Sequence, residues 1–575
     1  MRRALRTGVV MLSLSDCTLL ELDDFALVTC AQDSDCEPAN TRRGIAADAC
    51  LRYRCDPTAR RCRLPPAGPE TCDGADNDCN GIIDDGVIAP GAAVRLSAYT
   101  ANVGLVSYAP AQSGVVASYV LTDGYQGAFA SFVGPRDASA SVRTLSYARQ
   151  AAERSLTMPA LSPGCPGASA DCNIADLALA PVSPAGSFAV AVNRSGCDAG
   201  QLRIGFIEEN GAQLILRGPS VRSNVYLGVD RSLPPDPPCS GASRRPALGA
   251  ARPSIAAVAR AGSSPPQALA LWLGAPLDRA DCGGTPVNVE ALGLWMEELV
   301  WSGDTIRAVT GSNGGVPQVL GRTRGGGRPA VAALPGAGTG YAVAFPTEAG
   351  GLVLRHVRAL SNDVPALDSA RFDEAGYPDS ARATPSLNIG EPFEVPRASA
   401  GRVDHVALAV GATRDGATDL GVSWQEGCGS DERSVWFAQV RLDANTSALA
   451  AGTPPVQLSV ERGADTPTIA YVHSGFARSG YSRDGASAGP TGGWVVAWVD
   501  AGRLPNRLLA RRVLALDGRP VDEAPIALAP GARAPRSPVV YGPSAETGGA
   551  LAYAFHDPGQ DGFFGGVIAC NATGR

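Results

Sequence analysis

Trp494-Val495-Val496-Ala497-Trp498 is a short apolar run opened by Gly492-Gly493 and closed by Asp500. Aromatic and β-branched residues between such boundaries read as a β-strand. Six similar runs share its length and character: VVASY (115–119), FAVAV (188–192), ALALW (268–272), YAVAF (341–345), LGVSW (420–424) and LAYAF (551–555). Their last residues advance in steps of 73, 80, 73, 79, 74 and 57. Unrelated strands would not keep that rhythm, so the chain is read as a repeat architecture.

Two further elements recur in register with this run. Upstream of four copies lies a proline-opened segment: Arg252-Pro253-Ser254-Ile255, Arg328-Pro329-Ala330-Val331, Thr466-Pro467-Thr468-Ile469 and Ser537-Pro538-Val539-Val540. Proline at the first residue of a strand forfeits no ladder hydrogen bond. Downstream come hairpin-like pairs, such as 202–206 before Asn210-Gly211 and 511–515 before Asp517-Gly518. Asn-Gly and Asp-Gly supply the positive φ that tight hairpins require. Each repeat therefore reads as about four antiparallel strands, the content of one β-propeller blade, and the copies predict about seven blades.

Irregular inserts, for example 234–245 and 474–493, lengthen the period beyond the 40–50 residues of compact blades and place loops where binding usually resides. Residues 94–99 precede the first repeat and are expected to supply the outer strand of the last blade. The segment 289–299 has a helix-like look but occupies the third-strand position of its repeat. The rival architecture, a string of immunoglobulin-like sandwiches, lacks the expected Cys…Trp…Cys spacing.

The chain has 575 residues, with 68 Gly and 45 Pro and only 18% charged residues, a composition of many turns between short strands. It contains no lysine, so all 49 basic residues are arginine, set against 56 acids. Phosphate-loop lysines, Schiff-base lysines and Ser-Lys dyads are thereby excluded. The net charge of −7, without a basic stripe, speaks against a nucleic-acid partner.

Fifteen cysteines without any C-x-x-C pair suit disulfides formed outside the cytosol. Arg2, Arg3 and Arg6 form a positive n-region before the apolar run 8–14, which is too short to span a membrane. The run ends in Leu14-Ser15-Asp16-Cys17, which resembles the lipobox of bacterial lipoproteins and implies acylation of Cys17; Asp16 departs from the small residue of that pattern. The organisation read from the sequence is a signal peptide over 1–16, a tether over 17–29, a Cys-rich metal-binding module over 30–88 and a β-propeller over 89–575. If Cys17 carries lipid, seven cysteines remain in 30–79 and seven in 165–570. Each group is odd, so a bridge joins the two or thiols stay free. Cys165 and Cys172 bracket a short loop and are candidates to pair, as are Cys72 and Cys79.

The one specific chemical signature spans 70–86, Glu70-Thr71-Cys72-Asp73-Gly74-Ala75-Asp76-Asn77-Asp78-Cys79-Asn80-Gly81-Ile82-Ile83-Asp84-Asp85-Gly86. From Asp76, oxygen side chains fall at loop positions 1, 3, 5 and 9 with glycine at position 6, the way an EF-hand-type loop wraps calcium. Asp76, Asp78, Asn80 and Asp84 are the expected ligands, with the main-chain carbonyl of Ile82. Val87 stands where the bidentate acid normally falls, leaving Asp73 or Asp85 to complete the shell. A structural Ca2+ is the expected cofactor. The same 17 residues resemble the metal-binding motif of MopE-type bacterial surface proteins. That resemblance implies an extracytoplasmic location and a metal-binding role, and adds copper scavenging as an alternative. Copper prefers imidazole or thiolate, whereas the four histidines, 356, 405, 473 and 556, all lie in the repeats.

No catalytic apparatus is expected. Gly485-Ala486-Ser487-Ala488-Gly489 satisfies G-x-S-x-G but sits in a Gly/Ser/Ala-rich loop instead of a strand-to-helix elbow. His556-Asp557 is the best-placed histidine and acid. The resulting expectation is an exported outer-membrane lipoprotein or secreted protein, touching a membrane only through its lipid, whose propeller loops bind an extracellular protein or glycan. The alternative is a polysaccharide-acting propeller glycosidase or lyase.

Overall fold

The computed structural model describes residues 29–37, 53–63, 88–90 and 93–95. Between 103 and 570 it describes the strands and the shorter connections named below. The chain is mainly β. The described helices are two single 3-10 turns, Asp33–Cys36 and Pro558–Gln560, and among the described residues no helix is long and apolar enough to cross a membrane.

Besides one small hairpin, the strands form seven antiparallel sheets in chain order. Their first strands are Val103–Ala111, Ile174–Val182, Ala251–Val258, Ala330–Ala333, Val403–Arg414, Ala464–Val472 and Arg536–Tyr541. Each first strand contacts the first strand of the next sheet, and that of the seventh contacts that of the first. The sheets are thus arranged as a propeller around a central axis. The seven recurrent apolar runs all become the second strand of a sheet, among them Gln267–Gly274, Ala417–Glu426 and Gly493–Asp500.

Those second strands are apolar at nearly every position because both faces are covered. In the third sheet Ala268, Ala270 and Trp272 pack toward the second sheet, while Leu269, Leu271 and Leu273 pack toward the fourth. Strand side chains alternate in direction, so one continuous apolar strand serves two inter-sheet cores. The same division continues between the fourth and fifth, fifth and sixth, and sixth and seventh sheets.

Closure follows the expectation for 94–95 and extends it. Val94–Arg95 pairs with Phe564 and Gly565, and Ile88–Pro90 pairs with 568–570, so strands that precede the first sheet complete the last one. Of the 289–299 segment, the described residues from Leu292 on belong to the third strand of their sheet, Leu292–Trp301, as the repeat position required.

Two expectations are corrected. Uniform four-stranded blades do not occur, because five of the seven sheets have five strands. In these the outer edge is broken into two short pieces on one partner, as where Ser434–Asp443 pairs with both Leu449–Ala451 and Val456–Gln457. Nor do Pro253, Pro467 and Pro538 open their strands. They lie inside them at breaks in register, where no ladder bond is asked of them.

Near the N-terminus, Arg54–Asp56 pairs with Arg61–Arg63, setting Cys55 opposite Cys62. Cys55 is bridged to Cys30 and Cys62 to Cys36, so adjacent hairpin positions clamp two points of the 29–37 segment. Asp33 adds a hydrogen bond from the Cys55 amide, 2.8 Å. The sulfurs of Cys30, Cys36 and Cys62 cluster closely. They are consumed in these disulfides and offer no thiolate to a metal.

Candidate functional site

A repeated break in pairing opens the first strands of the sheets. Register shifts fall between Val103 and Leu105, Ile174 and Asp176, Ala251 and Ser254, Val403 and Val406, Asp465 and Thr468, and Arg536 and Val539. In the fourth sheet Arg328 stands just ahead of the strand, in a parallel bridge to His405 of the fifth. Over five successive sheets the equivalent positions are Arg252-Pro253, Arg328-Pro329, Asp404-His405, Thr466-Pro467 and Ser537-Pro538. The breaks thus recur near the N-terminal end of the first strands, at one mouth of the ring.

Arg252, Thr466 and Ser537 are left-handed, with φ of 53°, 46° and 47°. A residue before proline is disfavoured in the right-handed helical region, and a bulge demands departure from extended geometry. A left-handed non-glycine residue costs about 1–3 kcal/mol, most for a β-branched one such as Thr466. The Asp465 carboxylate offsets part of this by accepting the Thr466 amide at 2.7 Å.

Asp465 is the hub of the mouth. Its Oδ2 accepts from Arg433 Nη1 at 3.1 Å. With its amide oriented to satisfy both neighbours, Gln425 donates to Asp465 Oδ1 at 2.7 Å and accepts from Arg433 Nε at 2.9 Å. His405 Nε2 faces Asp465 Oδ1 across 4.0 Å, too far for a direct hydrogen bond. The side chains of His405 and Asp465 are 27% and 29% accessible, so both are partly exposed. On the other side Arg402 Nε lies 2.9 Å from Asp404 Oδ1.

His405 is held down to about pKa 4, first by burial. Asp465 opposes that fall, Arg252 and Arg328 add to it, and Asp404 opposes it again. The imidazole is therefore neutral at pH 7. Because its folded value lies below the unfolded 6.5, the unfolded chain takes up the proton first. The stability tied to a neutral His405 is complete above pH 6.5 and is lost as pH falls toward about 4. His405→Asn is expected to flatten the decline in urea midpoint across that window, and Asp465→Asn to push the His405 NMR titration still lower; a His405 midpoint near 6.5 contradicts this.

Among the described residues, several other acids and two histidines of the repeats are buried. Glu426, Asp500 and Asp557 each stand two residues beyond the aromatic end of a second strand, nearly or fully buried. Asp557 accepts the amides of Arg533, Ala534 and Gly559 at 2.8, 2.9 and 3.0 Å. Glu426 accepts from Ser399 Oγ at 2.7 Å and Trp424 Nε1 at 2.8 Å. His356 and His556 are buried. Asp557 is thus a turn anchor, and His556 pairs with Arg536, the neighbour of Ser537.

The expected loop ligands Asp73, Asp76, Asp78, Asn80, Ile82, Asp84 and Asp85, the cysteines 17, 72, 79, 165 and 172, and Ser487 lie outside the described residues. Sequence reasoning treated His405 as an ordinary strand or loop residue. The signal that marks it was present all the same: aligning the repeats puts histidine where four other sheets carry proline.

No family model and no curated protein matches the chain. Similar solved structures include a fucose-specific lectin from Aleuria aurantia, 13% identical, covering 76% of this chain and 98% of that one at a TM-score of 0.36. A Penicillium chrysogenum α-L-arabinanase complexed with arabinobiose is 12% identical, with coverages of 69% and 92% and a TM-score of 0.32. A Dyadobacter fermentans protein of unknown function is 9% identical, with coverages of 84% and 99% and a TM-score of 0.37. At these values the likeness carries nothing about ligand or activity.

Proposed function

We propose that the chain is an exported cell-surface binding protein whose propeller takes an extracellular glycan at the mouth where these breaks recur. The observation that carries this reading is the partly exposed pair of His405 and Asp465, with arginine and amide side chains from neighbouring strands around it. Guanidinium, carboxylate, amide and neutral imidazole together offer donors and acceptors in fixed planes, which suits an array of sugar hydroxyls. Seven blades is the count that the cyclic contacts of the first strands support. The clamped disulfides near the N-terminus support residence outside the reducing cytosol.

The calcium loop of 70–86 and the lipid at Cys17 belong to the same proposal, as structural support and tether. A glycan array probed with the full chain, followed by a hydrolysis assay on every bound glycan, tests it. Binding without turnover is expected; turnover moves the reading to the enzyme alternative, and a blank array removes the glycan. Metal analysis before and after chelation is expected to find calcium, whereas copper retained after calcium removal would favour scavenging.

A further inference from the structure

We infer that the disulfide-clamped hairpin 54–63 is a membrane-contacting element whose arginine face rests on a surface of anionic phosphate headgroups. This goes beyond the glycan reading and does not depend on it.

The chain as a whole carries a net charge of −7, yet between 42 and 63 it holds seven arginines against two acids. In the hairpin the fold sorts this charge onto one face. Arg54 stands opposite Arg63 and Asp56 opposite Arg61, with Cys55 opposite Cys62 between them. Strand side chains alternate in direction, so the arginines and the cysteines lie on opposite faces. Exposure follows the same alternation: Tyr53 and Cys62 are buried, whereas Arg54, Arg61 and Arg63 are exposed. The cysteine face is covered by the segment that the bridges to Cys30 and Cys36 hold against it. Two acids of that segment are turned to main-chain amides, Asp33 to that of Cys55 and Asp35 to those of Ala31 and Gln32.

The hairpin itself contains one acid, Asp56. It accepts the Thr58 and Ala59 amides at 2.8 and 3.0 Å and pairs with Arg63 at 3.3 Å. Among the described residues, Arg54, Arg60 and Arg61 have no carboxylate partner. Guanidinium forks match phosphate oxygens, and cations close to an anionic bilayer are drawn to it. Because the two disulfides hold the ribbon in shape, the arginines meet such a surface together.

Position in the chain favours a bilayer over other polyanions. Twelve residues separate Cys17 from Thr29. A chain spans at most about 3.5 Å per residue, so the acyl group proposed for Cys17 keeps the hairpin within roughly 40 Å of the lipid. Headgroup attraction acts over about 10 Å, and so short a tether returns the face to that range continually.

The test is co-sedimentation of the full chain carrying Cys17→Ser, so that no acyl group inserts, with two kinds of vesicle: pure phosphatidylcholine, and an equimolar mixture with phosphatidylglycerol. Binding at least about tenfold tighter to the anionic vesicles is expected, declining as salt is raised. Changing Arg54, Arg61 and Arg63 together to Gln should reduce it to the level on neutral vesicles, while changing all three to Lys should keep most of it. Arg462→Gln, which removes an exposed arginine of the propeller, should leave it unchanged. Equal binding to both vesicles overturns the inference, as does an anionic preference that survives in a glutamine variant whose two disulfides are confirmed by peptide mapping. A loss as large for Arg462→Gln overturns it in favour of overall charge. Displacement by inorganic phosphate at the concentration of the lipid phosphate overturns it in favour of a single-phosphate site. Anionic binding that appears only after Asp76, Asp78 and Asp84 are changed to Asn overturns it in favour of the chain's own 70–86 segment as occupant. The comparison of vesicles with the arginines intact decides the matter even where a variant does not fold.

Discussion

Asp522→Ala is expected to lower the unfolding free energy by about 3–5 kcal/mol, the usual consequence of removing one partner from a buried ion pair. Arg512 is 1% exposed in the middle of the third strand of the sixth sheet, and Asp522 is 9% exposed in the connection that follows. Asp522 Oδ1 accepts from Arg512 Nη2 at 2.7 Å and Nε at 2.9 Å, and Oδ2 accepts the Arg512 amide at 2.8 Å. The fourth strand here is only Ile526–Ala527. Side-chain bonds from Asp522 therefore hold an edge that the short backbone ladder cannot. Alanine strips a buried guanidinium of its carboxylate and takes the acceptor from a main-chain amide. Urea denaturation measures the loss, and a drop below about 1 kcal/mol would contradict the argument. The double variant Arg512→Met, Asp522→Ala is expected to regain much of it, since an apolar pair leaves no buried charge uncompensated.

Trp494→Ala is expected to cost about 3–5 kcal/mol, because it empties a wedge between two sheets. Trp494 is fully buried and opens the second strand of the sixth sheet. Its ring lies against Gly411 and Gly421 of the fifth sheet. A methyl built on either glycine would stand 2.7 or 2.6 Å from ring carbons. Tyr471 meets the ring edge-on with centroids 4.7 Å apart, and Phe437 lies 6.1 Å away. The reciprocal change, Gly421→Ala, is expected to cost about 1–3 kcal/mol by overpacking the same space. Because one contact underlies both losses, combining the two changes should cost clearly less than their sum. Strict additivity in thermal melts would show that the tryptophan and the glycines do not meet.

The seven apolar runs and the mouth differ in how far they could be read beforehand. LGVSW and the six runs like it announce themselves because a strand covered on both faces must be apolar at every position, a demand that each repeat meets locally. The proline segments were legible as strands for a similar reason, though their conformation was not. Whether Pro467 opens a strand or sits in a bulge depends on which residues of the neighbouring strand find partners, and Asp465↔Val499 followed by Thr468↔Ala497 settles that only across the sheet. Phe393–Glu394 and Val456–Gln457 escaped notice as strands because two residues carry no periodicity.

By itself the chain's sequence determined the mainly β class, the repeat rhythm and the strand that closes the ring, since each follows from local apolar patterning repeated along the chain. Tertiary structure alone decided that Arg252, Arg328, His405 and Asp465 act on one another. Consecutive members are separated by 76, 77 and 60 residues and belong to four sheets. Charges that far apart in a flexible chain are screened from each other. Only closure of the strands around one axis brings them within reach and gives them a common chemistry.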